Sequence, residues 1–213
     1  MKRIGAILLA LAILLPPTPG PAADRPEGEP AGTMLRLRGD VTIVGTDGAA
    51  RTAGPNAVLF VGDRVLTGTA TRFELELLDG AVLTLGDESD LTVDRMAYDP
   101  RIGTGALDFT LNRGVFRFVS GALGRSRSER RIALHTPMGT IGLRGADAWG
   151  EQAGETLRTL LLDGSLYVDT AFGRIEALDP RSGIQVDGPL VAPRTLPPIG
   201  EQDLGTAIAR ISF

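Results

Sequence analysis

Cysteine is absent from the 213-residue chain, and histidine occurs once, at His135. The first absence removes disulfides and thiolate nucleophiles, and a single imidazole cannot assemble a site of several His or Cys ligands. No metal site, cofactor or catalytic group is therefore expected. No glycine-rich phosphate loop precedes a helix, so nucleotide binding has no support. A net charge of −4 lacks the basic excess of a nucleic-acid binder. The 28 glycines and 14 prolines disfavour long helices. Long apolar runs are also missing. The best, Ile4 to Leu15, is shorter than the ~18–20 residues that span a bilayer.

That run follows Lys2 and Arg3 and ends in Pro16-Pro17-Thr18-Pro19-Gly20-Pro21-Ala22-Ala23. The order basic, apolar, small-residue is that of an export signal peptide over residues 1–23. Its removal implies a periplasmic or secreted protein without a stable membrane anchor. An exported chain without disulfides must obtain its stability from its core. The remaining length suits one domain.

From Leu35 onward apolar residues recur every second position, as in strands buried on one face. Phe73, Leu75 and Leu77 alternate with Glu74 and Glu76, and the same period runs through Leu83 and Leu85, Leu91 and Val93, and Leu107, Phe109 and Leu111. Asp79-Gly80 and Asp163-Gly164 each follow two leucines and predict hairpin turns, with Asp47-Gly48 and Arg113-Gly114 in similar places. The expected organisation is a disordered segment over 24–33, a β domain over 34–188, and a Pro-rich strap with a short C-terminal segment over 189–213. A short helix is expected within Asp203–Ile211. The pattern predicts an all-β fold, an antiparallel two-layer jelly-roll-like sandwich or short β-roll with one short C-terminal helix at most.

Few residues invite chemistry. His135 falls on the strand face opposite Leu134, where a surface histidine is ordinary. Asp87-Glu88-Ser89-Asp90 holds three carboxylates but matches no calcium-loop spacing. Arg125, Arg127, Arg130 and Arg131 stand within a short basic run and are the candidate ligand- or partner-binding residues, suited to an anionic group. Arg144, between glycines, is expected to be a buried brace, and Trp149, the only tryptophan, a core anchor.

Three segments in order resemble the FecR domain family. Gly62-Asp63-Arg64-Val65-Leu66-Thr67-Gly68 resembles its GD-x-hydrophobic-x-TG segment, and Phe73 to Leu91, around Asp79-Gly80, its strand, DG, strand pattern. Thr136-Pro137-Met138-Gly139-Thr140-Ile141-Gly142-Leu143-Arg144-Gly145 resembles its TP-x-G-x-x-G-x-RG signature. Ala146 stands where the family commonly has threonine. The resemblance implies a jelly-roll-like periplasmic domain in which Gly62, Asp63, Thr67, Gly68, Asp79, Gly80, Thr136, Pro137, Gly139, Gly142, Arg144, Gly145 and Trp149 serve structure. The family's founding regulators carry a cytoplasmic anti-sigma segment before a membrane helix, for which only Met1 is available ahead of Lys2. The expected function is non-enzymatic recognition of an envelope protein or glycan, with signal sensing as one form of it. A self-associating surface scaffold and a carbohydrate-active envelope enzyme are the alternatives.

Overall fold

The computed structural model describes residues 28–125 and 130–213, with the backbone alone for Arg130. The expected signal peptide lies outside the described residues. Within them run β1 (Pro30–Arg38), β2 (Val41–Val44), β3 (Ala50–Thr52), β4 (Val58–Phe60), β5 (Arg64–Thr67), β6 (Arg72–Leu77), β7 (Val82–Leu85), β8 (Asp90–Asp99) and β9 (Thr104–Val119). The one-turn α1 (Ala122–Arg125) precedes β10 (Arg130–Thr136), β11 (Gly139–Ala153), β12 (Thr156–Thr170), β13 (Gly173–Ala177), β14 (Gly183–Val186), β15 (Arg194–Leu196) and α2 (Glu201–Ala209).

The fold is all-β and sandwich-like, and three strands belong to both layers. β9, β11 and β12 are 16, 15 and 15 residues long. Each carries a glycine of positive φ along its length: Gly114 at 114°, Gly145 at 58° and Gly164 at 80°. At each glycine the core-facing parity reverses. The core receives Leu107, Phe109 and Leu111 and then Phe116 and Phe118 from β9. It receives Ile141 and Leu143 and then Ala146 and Ala148 from β11, and Leu157 and Leu161 and then Leu166 and Val168 from β12. A bulge adds one residue, which flips every later side chain to the other face and bends the strand. The three bulges thus carry the strands from one layer to the other with apolar side chains always toward the core.

One layer is ordered β4-β1-β6-β7, then the second half of β9, the second half of β11, the first half of β12, β14 and β15. The other is β3-β2-β5-β8, then the first half of β9, β10, the first half of β11, the second half of β12 and β13. The expectation of a wholly antiparallel sheet is corrected at one pair, since β9 and β10 run parallel, Gly105–Thr110 beside Arg130–His135. Parallel neighbours need a crossover, and the connection containing α1 supplies it.

Two of the four predicted turns are turns. Asp47-Gly48 joins β2 to β3, and Asp79-Gly80 joins β6 to β7. Arg113-Gly114 and Asp163-Gly164 instead lie inside β9 and β12 as bulges, because the positive φ that closes a hairpin also admits the extra residue of a bulge. The hairpin between β11 and β12 turns at Gly154 and Glu155.

Both ends are more regular than composition suggests. The segment expected to be disordered over 24–33 enters β1 at Pro30, with Ala31 fully buried, because strand pairing with β4 and β6 uses the backbone whatever the side chains. In the strap, Arg194–Leu196 pairs with β14. α2 then lays Ala207, with Ile211 beyond its end, onto Val115, Trp149 and Leu160. Trp149 is buried as expected, but in this outer seam rather than between the layers. Among the described residues no helix is long and apolar enough to cross a membrane.

Candidate functional site

Most signature residues hold the backbone. Asp63 is buried, and its Oδ2 accepts the Phe60 N–H (2.9 Å) and an Arg51 Nη2 bond (2.5 Å). Thr67 Oγ1 donates to the Gly86 carbonyl and accepts the Ser89 N–H, both at 2.7 Å, tying β5 to the turn before β8. Gly62 (φ 90°) and Gly80 (φ 75°) occupy tight turns, and the Gly68 N–H donates to the Asp40 carbonyl (2.9 Å). Asp79 accepts the Ala81 and Leu123 N–H groups, each at 3.1 Å, which docks α1 against the β6–β7 hairpin. Ala146 is buried in the core and its carbonyl accepts the Ser120 N–H (2.9 Å).

The third signature segment does more than brace. Strand register places His135, Thr140, Asp169 and Arg174 in one row across β10 to β13. The next row is Asp108, Ala133, Gly142, Tyr167 and Glu176. Ala133 brings little side chain, the Tyr167 ring takes the space over Gly142, and an open cleft of about 700 Å³ lies over Ala133 and Tyr167. Its rim is the β10–β11 turn, in which Thr136 Oγ1 donates to the Gly139 carbonyl (2.9 Å) and accepts the Met138 N–H (3.2 Å). Pro137 sits in that turn, and Pro189 of the strap closes the other side.

Tyr167 is seated on Gly142: a Cβ added at Gly142 would stand 2.0 Å from the ring's Cζ. Arg174 stacks on the same ring, its Cζ 4.3 Å from the centroid, and its guanidinium pairs with Asp169. The hydrogen bond that Arg174 donates to Asp169 holds its guanidinium above the ordinary pKa, against the smaller effect of burial. Arg131 Nε lies 2.9 Å from Asp108 Oδ1. His135 Nδ1 is 3.1 Å from Thr140 Oγ1, and its Nε2 is 3.7 Å from Asp108 Oδ1.

Asp108, His135 and Thr140 are the members of a charge relay without its geometry. At 3.7 Å the carboxylate is beyond hydrogen-bond reach of the ring. The strand amides around Thr140 pair with β10 and β12, which leaves no evident oxyanion donors. Among the described residues Asp169 is the one carboxylate that lines the cleft. Glycoside hydrolysis needs a pair about 5–9.5 Å apart. No cluster of three His, Cys, Asp or Glu occurs among the described residues.

Of the candidate arginines whose side chains are described, Arg131 lines the cleft. Arg125 ends α1 and donates to the Ser120 carbonyl (3.4 Å), while Arg127 and the Arg130 side chain lie outside the described residues. The buried Arg144 brace is corrected: its side chain is 55% exposed and meets Glu176 at 3.5 Å. With Leu143 facing the core, Arg144 must face out; the flanking glycines serve the bulge and the Tyr167 seat. Arg144→Ala is therefore expected to cost less than about 1 kcal/mol, as exposed ion pairs do, measured by urea denaturation. Sequence reasoning missed Thr140, Tyr167, Asp169 and Arg174, whose only local signal is a polar residue at an outward position.

Residues 63–167 match the family described as "FecR protein". No curated protein matches the chain. Two crystal structures of a candidate anti-sigma factor from Parabacteroides distasonis share the fold, with TM-scores of 0.54 and 0.53 at 14% identity. Each match covers 68% of this chain and 63% or 64% of that one, so this chain spans less than two thirds of the neighbour's length. The matched segment, just under half of the chain, runs from Asp63 through β9 and β11 to Tyr167 in β12, and by that match residues 63–167 form a domain of the FecR type.

Proposed function

We propose that this protein is a non-enzymatic recognition module of the cell envelope, exported to the periplasm, which senses a protein or envelope ligand through the cleft over Ala133 and Tyr167. The observation that carries the reading is the cleft itself, a ligand-sized depression whose polar groups are held in place by strands rather than by loops. Rigid strands preorganise such groups for binding, while the distances among Asp108, His135 and Thr140 suit no proton relay. The basic, apolar and small-residue order of residues 1–23 supports export. The anti-sigma description of the structural neighbour supports a place in signalling.

The test is photocrosslinking in intact cells from position 140, in the cleft, against position 155, at the exposed β11–β12 turn. Envelope adducts from position 140 that position 155 does not give are the expected result. Adducts containing only a second copy of the chain would replace recognition with self-assembly. A cytoplasmic protein without adducts would overturn the reading.

A further inference from the structure

We infer that the cleft binds an uncharged glycan, a ligand of many hydroxyls and no net charge; this rests on the recognition reading and specifies its ligand. The first ground is charge balance. Each described guanidinium of this face has its own anion: Arg131 has Asp108, Arg174 has Asp169, and Arg144 has Glu176. Among the described residues a polyanion would have to displace a carboxylate from each guanidinium it used. A sugar has no such conflict. Each of its hydroxyls both donates and accepts, so neighbouring hydroxyls can accept from a guanidinium and donate to the carboxylate beside it, leaving the pair in place.

Shape is the second ground. The row His135, Thr140, Asp169 and Arg174 crosses four adjacent strands, about 14 Å. That is an extended path suited to a short oligosaccharide rather than to a single small ion. Alternating donors and acceptors continue along it, with the Thr140 hydroxyl and the His135 ring between the charged pairs.

Third, Tyr167 supplies an amphipathic edge. Its ring is fixed between the Gly142 backbone and the Arg174 guanidinium, so placing a sugar against it costs little side-chain entropy. A protein partner would instead need apolar anchors in the cleft. The large exposed apolar side chains, such as Leu178, Leu190 and Phe172, are absent from its lining.

The experiment is affinity electrophoresis of the full chain through gels containing mannan, dextran or N-acetylglucosamine oligomers, with heparin as the polyanion. Retardation by at least one uncharged glycan is expected, nearly unchanged as salt is raised. Arg174→Gln and Tyr167→Ala should each weaken it about tenfold or more, the first by removing a charged hydrogen-bonding partner and the second by removing an aromatic contact, while both variants keep a cooperative thermal transition. Gly142→Ala, which unseats the Tyr167 ring from within the strand, should weaken it likewise. Retardation by none of the uncharged glycans overturns the inference, as does retardation by heparin alone that fades with salt. Binding that survives all three substitutions places the glycan elsewhere and also overturns it. If position 140 captures an envelope protein while no glycan retards the chain, recognition stands and its glycan specificity falls.

Discussion

Gly164→Ala is expected to lower stability by about 3–4 kcal/mol, the sum of a left-handed backbone penalty and a steric clash. Gly164 has φ 80°, and an added Cβ would stand 2.3 Å from the Gly145 carbonyl oxygen and 2.9 Å from the Ala146 Cα. Those atoms belong to the neighbouring strand at its own bulge, so neither strand can retreat without losing the bend. In a chain of this size the loss corresponds to a fall in Tm of roughly 6–16 °C. Gly48→Ala is the control. Its φ is 79°, but an added Cβ meets nothing within 4 Å, so only the backbone penalty of about 1–2 kcal/mol applies. Equal losses in the two variants, measured by thermal denaturation, would show that close approach of β11 and β12 does not limit the bend.

Asp63→Ala should cost about 3 kcal/mol, near the lower limit for breaking a buried pair because Arg51 keeps partial access to water. The Asp63 side chain is 3% exposed and that of Arg51 30%. The substitution orphans the Phe60 N–H and leaves the Arg51 guanidinium without the carboxylate it bonds at 2.5 and 3.3 Å. Asp63→Asn retains an acceptor for the Phe60 amide but not the charge, so its urea midpoint should fall between wild type and Asp63→Ala. If all three midpoints coincide, the signature aspartate has no part in stability and a binding role for it reopens.

The two variants separate what a short motif can reveal. The surroundings of Asp63 are mostly local, since Phe60 is three residues away and Arg51 twelve. Gly164 is the opposite case. Leu-Leu-Asp-Gly at 77–80 and at 161–164 is the same tetrapeptide, yet the first closes a hairpin and the second bends a continuous strand. Both need a positive φ at glycine, and that need is all the tetrapeptide expresses. Whether the chain then reverses depends on the partner strand, and Gly164 faces the bulge of β11.

The cleft divides in the same way. The Thr136–Gly145 segment stood out in the sequence, and it forms the rim at Thr136, Pro137 and Gly139 and seats the Tyr167 ring at Gly142. The arginine run promised an anion site, but the described member that lines the cleft, Arg131, stands beside Asp108, twenty-three residues earlier and on a parallel strand. Alternation of apolar and polar residues by itself determined the all-β class and the facing of Leu134 against His135, because a strand's side-chain period is a property of its own backbone. Tertiary structure alone decided which Asp-Gly and Arg-Gly pairs turn and which bend, and which outward residues share a row. Register between strands distant in the chain is set by the packing of both layers around one core, and no local pattern encodes it.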